Sequence, residues 1–320
     1  MNRRPNQRRG FTLMELLVAI LVIFALIGLL IVGVRAVRKS GRGAGDTALV
    51  NSLNLAVSNF NREFGFLPPL VKDFESAGPL RTVSGRRVPW VYSVSNAQDA
   101  QVLRSSQSPA APGTPQSLYD IRFSLLSLPY YVIGALEVEG VSGEGRPIDG
   151  VAGPGFLTPK RDGSFERSGR KFESFFDLSR NAKALYSSDA AAGRVVLRDA
   201  NEVPVRYYRW LQGNPSTTLV ASVNDCNVPL ILGRASDDAS LRSAVFAIVA
   251  AGPDGVFGDE ADIADPSSAA PPLLASTFGM TWGELANKVG LPDPGNDPNL
   301  RQKVRDKARS DNVIAAGGGS

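Results

Sequence analysis

Apolar residues follow three patterns along the chain, and each predicts a different element. From Leu16 to Val34 no charged residue interrupts the run, and counting from Phe11 the stretch is 24 residues with Glu15 as its one charge. As a helix at about 1.5 Å per residue it spans roughly 36 Å, against about 30 Å for a bilayer's hydrocarbon core. The core of a cleavable secretory signal is shorter, about 7–15 residues. Residues 11–34 are therefore predicted to form a transmembrane helix.

The second pattern occupies 35–69. Arg35, Arg38, Lys39 and Arg42 lead into Ser40-Gly41-Arg42-Gly43-Ala44-Gly45. Three glycines there predict a weak, flexible joint, at roughly 1 kcal/mol each against alanine. Helical spacing resumes after it, with Asp46 or Thr47 as N-cap. Leu49, Leu53, Ala56, Val57, Phe60 and Phe64 recur at i, i+3, i+4, i+7, a stripe for packing on a core. Gly65 and Pro68-Pro69 end it.

The third pattern is short Val-, Ile- and Tyr-rich runs between turn residues: Val195–Arg198, Val203–Leu211, Val228–Leu232 and Ala244–Ala250. They predict an antiparallel sheet of three or four strands within 194–265. Residues 70–193, rich in Gly, Pro and Ser, are expected to be a partly mobile variable insertion. In the extension 266–320, helices are predicted at Trp282–Val289 and Asn299–Ser310, before a Gly-rich end. The expected class is α+β: a long N-terminal helix whose C-terminal half packs on a small antiparallel sheet, with irregular insertions.

Charge changes the picture little. Arg3, Arg4, Arg8 and Arg9 account for the +4 balance, and the remaining 31 basic residues face 31 acidic ones. No nucleic-acid partner is expected. There is no histidine, and Cys226 is the one cysteine. Ser-His-Asp triads, Cys-His pairs, His- or Cys-based zinc sites and internal disulfides are thereby excluded. No enzymatic activity is expected.

Glu15 is costly where it stands. A carboxylate in a membrane helix is rare unless it is paired and functional. Arg8-Arg9-Gly10-Phe11-Thr12-Leu13-Met14-Glu15-Leu16 resembles the processing site of type IV pilins and pseudopilins. The resemblance implies a leader, 1–10, that a prepilin peptidase cuts after Gly10 on the cytoplasmic face. Phe11 would then be N-methylated, and Glu15 would pair with the Phe11 ammonium of a neighbouring subunit. Two charges that are each too expensive in hydrocarbon offset one another when paired. The family implies an inner-membrane, single-pass protein with its N-terminus inside and its C-terminal domain outside. The charges flanking the helix are nearly balanced, so the motif, rather than the positive-inside rule, sets this orientation.

One further segment carries chemistry. Between Ala251 and Ile263, Asp254, Asp259, Glu260 and Asp262 crowd a Gly-bearing loop after the Ala244–Ala250 strand. Oxygen donors at this density suit a hard cation such as Ca²⁺. The loop is not an EF-hand, lacking its Asp-x-Asp-x-Asp-Gly order. It is similar to the calcium loop of the type II secretion major pseudopilin. The resemblance puts Asp254, Glu260 and Asp262 at ligand positions, with the Val256 carbonyl and Asp259 as further possibilities. Asp311-Asn312 is a second acidic group able to fold back on the loop. Together these readings point to a pseudopilin of a type II secretion-like system, of the major type with insertions. Its partners would be other pilin or pseudopilin subunits, the peptidase, an assembly platform and the membrane. A minor type IV pilin serving adhesion, motility or DNA uptake is the alternative.

Overall fold

The computed structural model describes residues 13–73, 80–83, 86–105, 120–134, 148–151, 154–179, 185–189, 194–211, 228–233, 238–262 and 279–318. The chain divides into two units, 1–42 and 43–320.

Helix α1 (Leu13–Phe64) is continuous over 52 residues. Its side chains from Leu16 to Leu30 are all exposed, Phe24 at 69% and Leu29 at 73%. This part is apolar all round and presents no single stripe. Among the described residues no helix is long and apolar enough to cross a membrane. The described apolar side chains run unbroken only from Leu16 to Leu30, so the longer span stands on the sequence alone.

The glycine-rich joint is helical, contrary to the expected break. Asp46 is not a cap. Its Oδ1 accepts the Ala200 N–H at 2.7 Å, and the Thr47 hydroxyl donates to the Gly43 carbonyl at 2.8 Å. Burial of the following stripe outweighs the glycine cost: Val50, Leu53, Val57 and Phe60 are fully buried, and Leu49 and Ala56 nearly so.

After α1 come the hairpin of β1 (Leu80–Val83) and β2 (Arg86–Pro89), α2 (Ala97–Ser105) and β3 (Phe123–Ser124). A wide helical turn over Pro129–Gly134 leads to paired β4 (Phe156–Leu157) and β5 (Lys171–Phe172), then paired β6 (Leu185–Asp189) and β7 (Arg194–Leu197). β8 (Arg206–Arg209), α3 (Ala239–Ser243), β9 (Ala244–Ala250), α4 (Trp282–Lys288), α5 (Pro298–Arg309) and β10 (Val313–Gly318) complete the chain.

The central sheet is antiparallel in the order β10-β9-β8-β3. Side chains alternate across its faces. Phe246, Ile248 and Ala250 pack with the α1 stripe. Ala247 and Val249 pack instead with Phe123, Leu125, Leu126, Tyr131 and Phe156. Described residues within 70–193, Phe123 to Phe156 among them, thus help to cover the sheet's second face. A third, smaller core joins Val256 and Ala261 to Leu285, Val304 and Ala308.

Three strand expectations change. Val195–Arg198 forms β7 but pairs with β6 outside the central sheet. Val228–Leu232 is no strand; Leu230–Leu232 makes a single 3₁₀ turn, with Pro229 lacking a ladder donor and Gly233 at φ 96° closing it. The Gly-rich end is itself a strand. β10 pairs with β9, and a Cβ at Gly317 would be driven into the Phe246 ring, so the glycine is a packing requirement. Both extension helices form close to their expected places. Thr281 and Glu284 close a capping box on α4, and Asp297 caps α5 ahead of Pro298.

Candidate functional site

The acidic loop begins where β9 ends. Gly252 (φ 69°) turns the chain so tightly against the Asp311 carbonyl that any side chain there would collide with it. The Asn312 amide donates to the Phe257 carbonyl at 3.2 Å. The C-terminal extension therefore returns to the loop and forms one wall of it.

Each described carboxylate in the loop has a partner. Asp254 Oδ1 accepts the Val256 N–H at 3.0 Å, and its carboxyl lies close to that of Asp311. Glu260 accepts the backbone N–H groups of Phe257 and of Gly258, the latter at 2.8 Å. Asp259 Oδ2 accepts from Arg206 Nη1 at 2.7 Å. That guanidinium is fully buried between the rings of Phe123 and Phe257, 4.5 and 3.8 Å from their centroids, and also donates to Tyr208 Oη. The buried pair fastens the loop to β8. Breaking such a pair from one side leaves a buried charge uncompensated.

A second set of carboxylates ties the loop to the helix. Asp199 accepts the N–H groups of Asn201, Val203 and Ala251 at 2.8, 2.9 and 3.2 Å. The Asn201 amide donates to the Gly252 carbonyl. With the Asp46–Ala200 bond, the helix, the 199–203 turn and the acidic loop are joined through backbone amides.

Burial raises several of these acids. Asp199 is pushed up to about 6, mainly by desolvation, with the Asp46 charge adding and its backbone donors opposing. Glu260 rises to about 7 through burial and then the charge of Asp259, against the pull of Arg206. Asp254 also rises to about 7, through desolvation and the neighbouring Asp311 and Glu260, while the Val256 N–H opposes.

These contacts bear on a cation. Glu260 does not fit as a ligand, because both its oxygens are engaged with its own turn's backbone. Asp259 gives Oδ2 to Arg206 and keeps Oδ1 buried without a hydrogen-bond partner among the described residues. Asp254 beside Asp311 does fit, as two carboxyls meeting at one point. The side chain of Asp262 lies outside the described residues, and Val256 itself is buried in the small third core. Among the described residues no group of three or more acids, cysteines or histidines is arranged to hold a metal ion. Arg206, Asp199 and Asp46 were missed in the sequence. A signal existed for Arg206, a lone charge within the apolar strand Val205-Arg206-Tyr207-Tyr208.

At the other end of the chain, Gly10 and Phe11 lie outside the described residues, as does Cys226. Glu15 lies in the first turn of α1, its side chain undescribed. Residues 5–33 match the prokaryotic N-terminal methylation motif, a match that spans Gly10, Phe11 and Glu15. The motif is a signal of type IV pilin-like proteins, and it implies processing by a prepilin peptidase and assembly with other pilin subunits. No curated protein and no solved structure matches the chain.

Proposed function

We propose that this chain is a pseudopilin of a type II secretion-like system: a non-enzymatic, inner-membrane filament subunit with its N-terminus inside. The observation that carries the reading is the N-terminal methylation motif over residues 5–33, set on a helix whose second half packs on an antiparallel sheet. Gly10 is the cleavage position, Phe11 the methylated terminus, and Glu15 the partner of a neighbour's terminal ammonium.

In the native host, with the peptidase present, mass spectrometry should find a mature protein beginning at methylated Phe11, and Gly10→Ala should retain its leader. Glu15→Leu should be inserted and processed yet fail to enter filaments. An intact Met1 leader on the wild type, or wild-type assembly of Glu15→Leu, would overturn the reading. Assembly into long surface fibres instead of short periplasmic ones would assign a minor pilin.

Calcium belongs to the same proposal, held by Asp254 and Asp262 with Asp311 beside Asp254, and with Glu260 shaping the turn instead of ligating. A bound cation would relieve the repulsion between the Asp254 and Asp311 carboxyls. At a hundredfold excess over Kd, Ca²⁺ should stabilise the fold by about 2.7 kcal/mol, and Asp254→Ala with Asp262→Ala should remove the effect. A melting curve that is the same in chelator and in calcium would eliminate the metal.

A further inference from the structure

The insertion 70–193 does more than cover the sheet. Hairpin β1–β2, residue Ile148 and the tight turn 158–168 enclose an open cleft of about 530 Å³. That volume lies in the usual range for small-ligand sites, about 300–1,000 Å³.

Its walls are built firmly. The turn is closed by Lys160 N–H to Ser164 carbonyl at 2.7 Å and Glu166 N–H to Thr158 carbonyl at 2.8 Å. The Tyr131 hydroxyl, fully buried, donates to the Gly163 carbonyl at 2.8 Å and pins the turn to the core. A side chain at Gly163 would collide with Val91, so turn and core are in direct contact. The cleft therefore exists before any ligand arrives.

Its chemistry is one-sided. Val88, Ile148 and Phe165 give it an apolar floor, while Arg87 from the hairpin and Lys160 and Arg167 from the turn bring three positive charges. Glu166 is the one acid among the lining residues. Asp162 lies within electrostatic reach of Lys160 and Arg81, which help to hold it below the usual carboxylate range against burial. Neither Arg87 nor Arg167 forms an ion pair among the described residues. The chain beyond its leader is neutral overall, so this local excess comes from placement rather than composition. Guanidinium groups match carboxylate and phosphate oxygens in bidentate geometry, and Ser168 adds a hydroxyl, that of Ser164 being given to Asp162 at 2.6 Å.

We propose that this cleft binds an oxyanion carried on an apolar body, an organic carboxylate or phosphate, either as a free small molecule or as an acidic side chain next to an aromatic one on a partner polypeptide. The cations take the oxyanion and the floor takes the apolar body.

Calorimetric titration of the full chain in neutral detergent tests it, with phenylacetate, phenyl phosphate and the uncharged phenylacetamide as probes. Both anions should bind saturably and at least about tenfold more tightly than the amide. Arg87→Gln with Arg167→Gln should weaken the anions by about tenfold or more, whereas Arg62→Gln, on exposed α1 surface, should not. Glu166→Gln should tighten anion binding, a change of sign that misfolding cannot imitate. Raising salt from about 0.05 to about 0.5 M should weaken the anions and leave the amide unchanged. A capped Glu-Phe-Glu peptide separates the sources. Binding tighter than phenylacetate assigns the site to a partner polypeptide; weaker binding assigns it to a free organic anion. Equal affinity for amide and acid, non-saturable heats for every probe, or anion binding that ignores both the arginine and the Glu166 substitutions would overturn the proposal.

Discussion

The two ends of α1 obey opposite rules although one helix contains both. From Leu16 to Leu30 nearly every residue is apolar and every side chain is exposed. From Leu49 to Phe60 the apolar residues other than the exposed Leu55 form one buried stripe, and its members Leu49 to Val57 pack with the sheet. At about 25 cal/mol per Å² of apolar surface, the first segment carries a large tendency to leave water that nothing among the described residues satisfies. The second has already met its own. The first is thus built for surroundings supplied from outside, a bilayer or the same helix of other subunits, and the second for its own domain.

The largest effect that sharpens this contrast comes from equal truncations in the two halves. Phe60 is fully buried among Phe64, Phe66, Phe156 and Phe175, with ring centroids 4.7–6.4 Å away. Phe60→Ala should destabilise the domain by about 3–5 kcal/mol in thermal melts of the detergent-solubilised chain. Leu21→Ala, in the exposed half, should change the same melt by less than about 0.5 kcal/mol. Comparable losses from the two would break the contrast and show that the exposed half also packs on the domain.

A smaller effect separates the halves by pH. Glu260, near 7, and Asp199, near 6, hold protons in the folded chain that they release when unfolded. Groups raised on folding contribute stability that is complete below their unfolded values, about 4, and is lost as pH rises through the folded ones. With chelator present, the melting temperature should therefore fall by a few degrees between about pH 5 and pH 8. Asp162, Asp238 and Glu284, held low by their hydrogen-bond donors, act in the opposite sense but only below that window. Glu260→Gln should flatten the slope. An unchanged slope in that variant would place the titration elsewhere.

How much of this could be read from the sequence follows the same divide. The stripe Leu49 to Phe60, strand β9 and helices α4 and α5 were legible because each is a local pattern: a 3.6-residue period, a β-branched run or a cap. The N-terminal motif was legible because its chemistry is contiguous. The insertion's place on the sheet was not, since Phe123, Tyr131 and Phe156 reach one face from scattered short runs with no period of their own. β10 was missed because its glycines signal an ending in sequence and a slot beneath Phe246 in space. The acidic loop was located, but the partners that occupy its carboxylates, Arg206 and Asp311, lie about fifty residues away on either side.

The smallest effect bears on the boundary between the halves. Gly41 and Gly43 sit inside the helix, not at a break. A Cβ at Gly41 would meet nothing within 4 Å, and one at Gly43 would only touch Pro253 at 3.8 Å. Neither glycine is needed for space, and neither has the positive φ that would require it. Each Gly→Ala change should therefore stiffen the helix and add up to about 1 kcal/mol to its local stability, seen as slower amide exchange over residues 38–48. If the glycines only lower helix stability, filament assembly will be unaffected. If the subunit must bend there to seat its apolar half among neighbours, the double variant will be better ordered yet assemble less well. Greater order with poorer assembly would show that the two halves are kept distinct on purpose; faster exchange in the alanine variant would mean that α1 is not continuous through the joint.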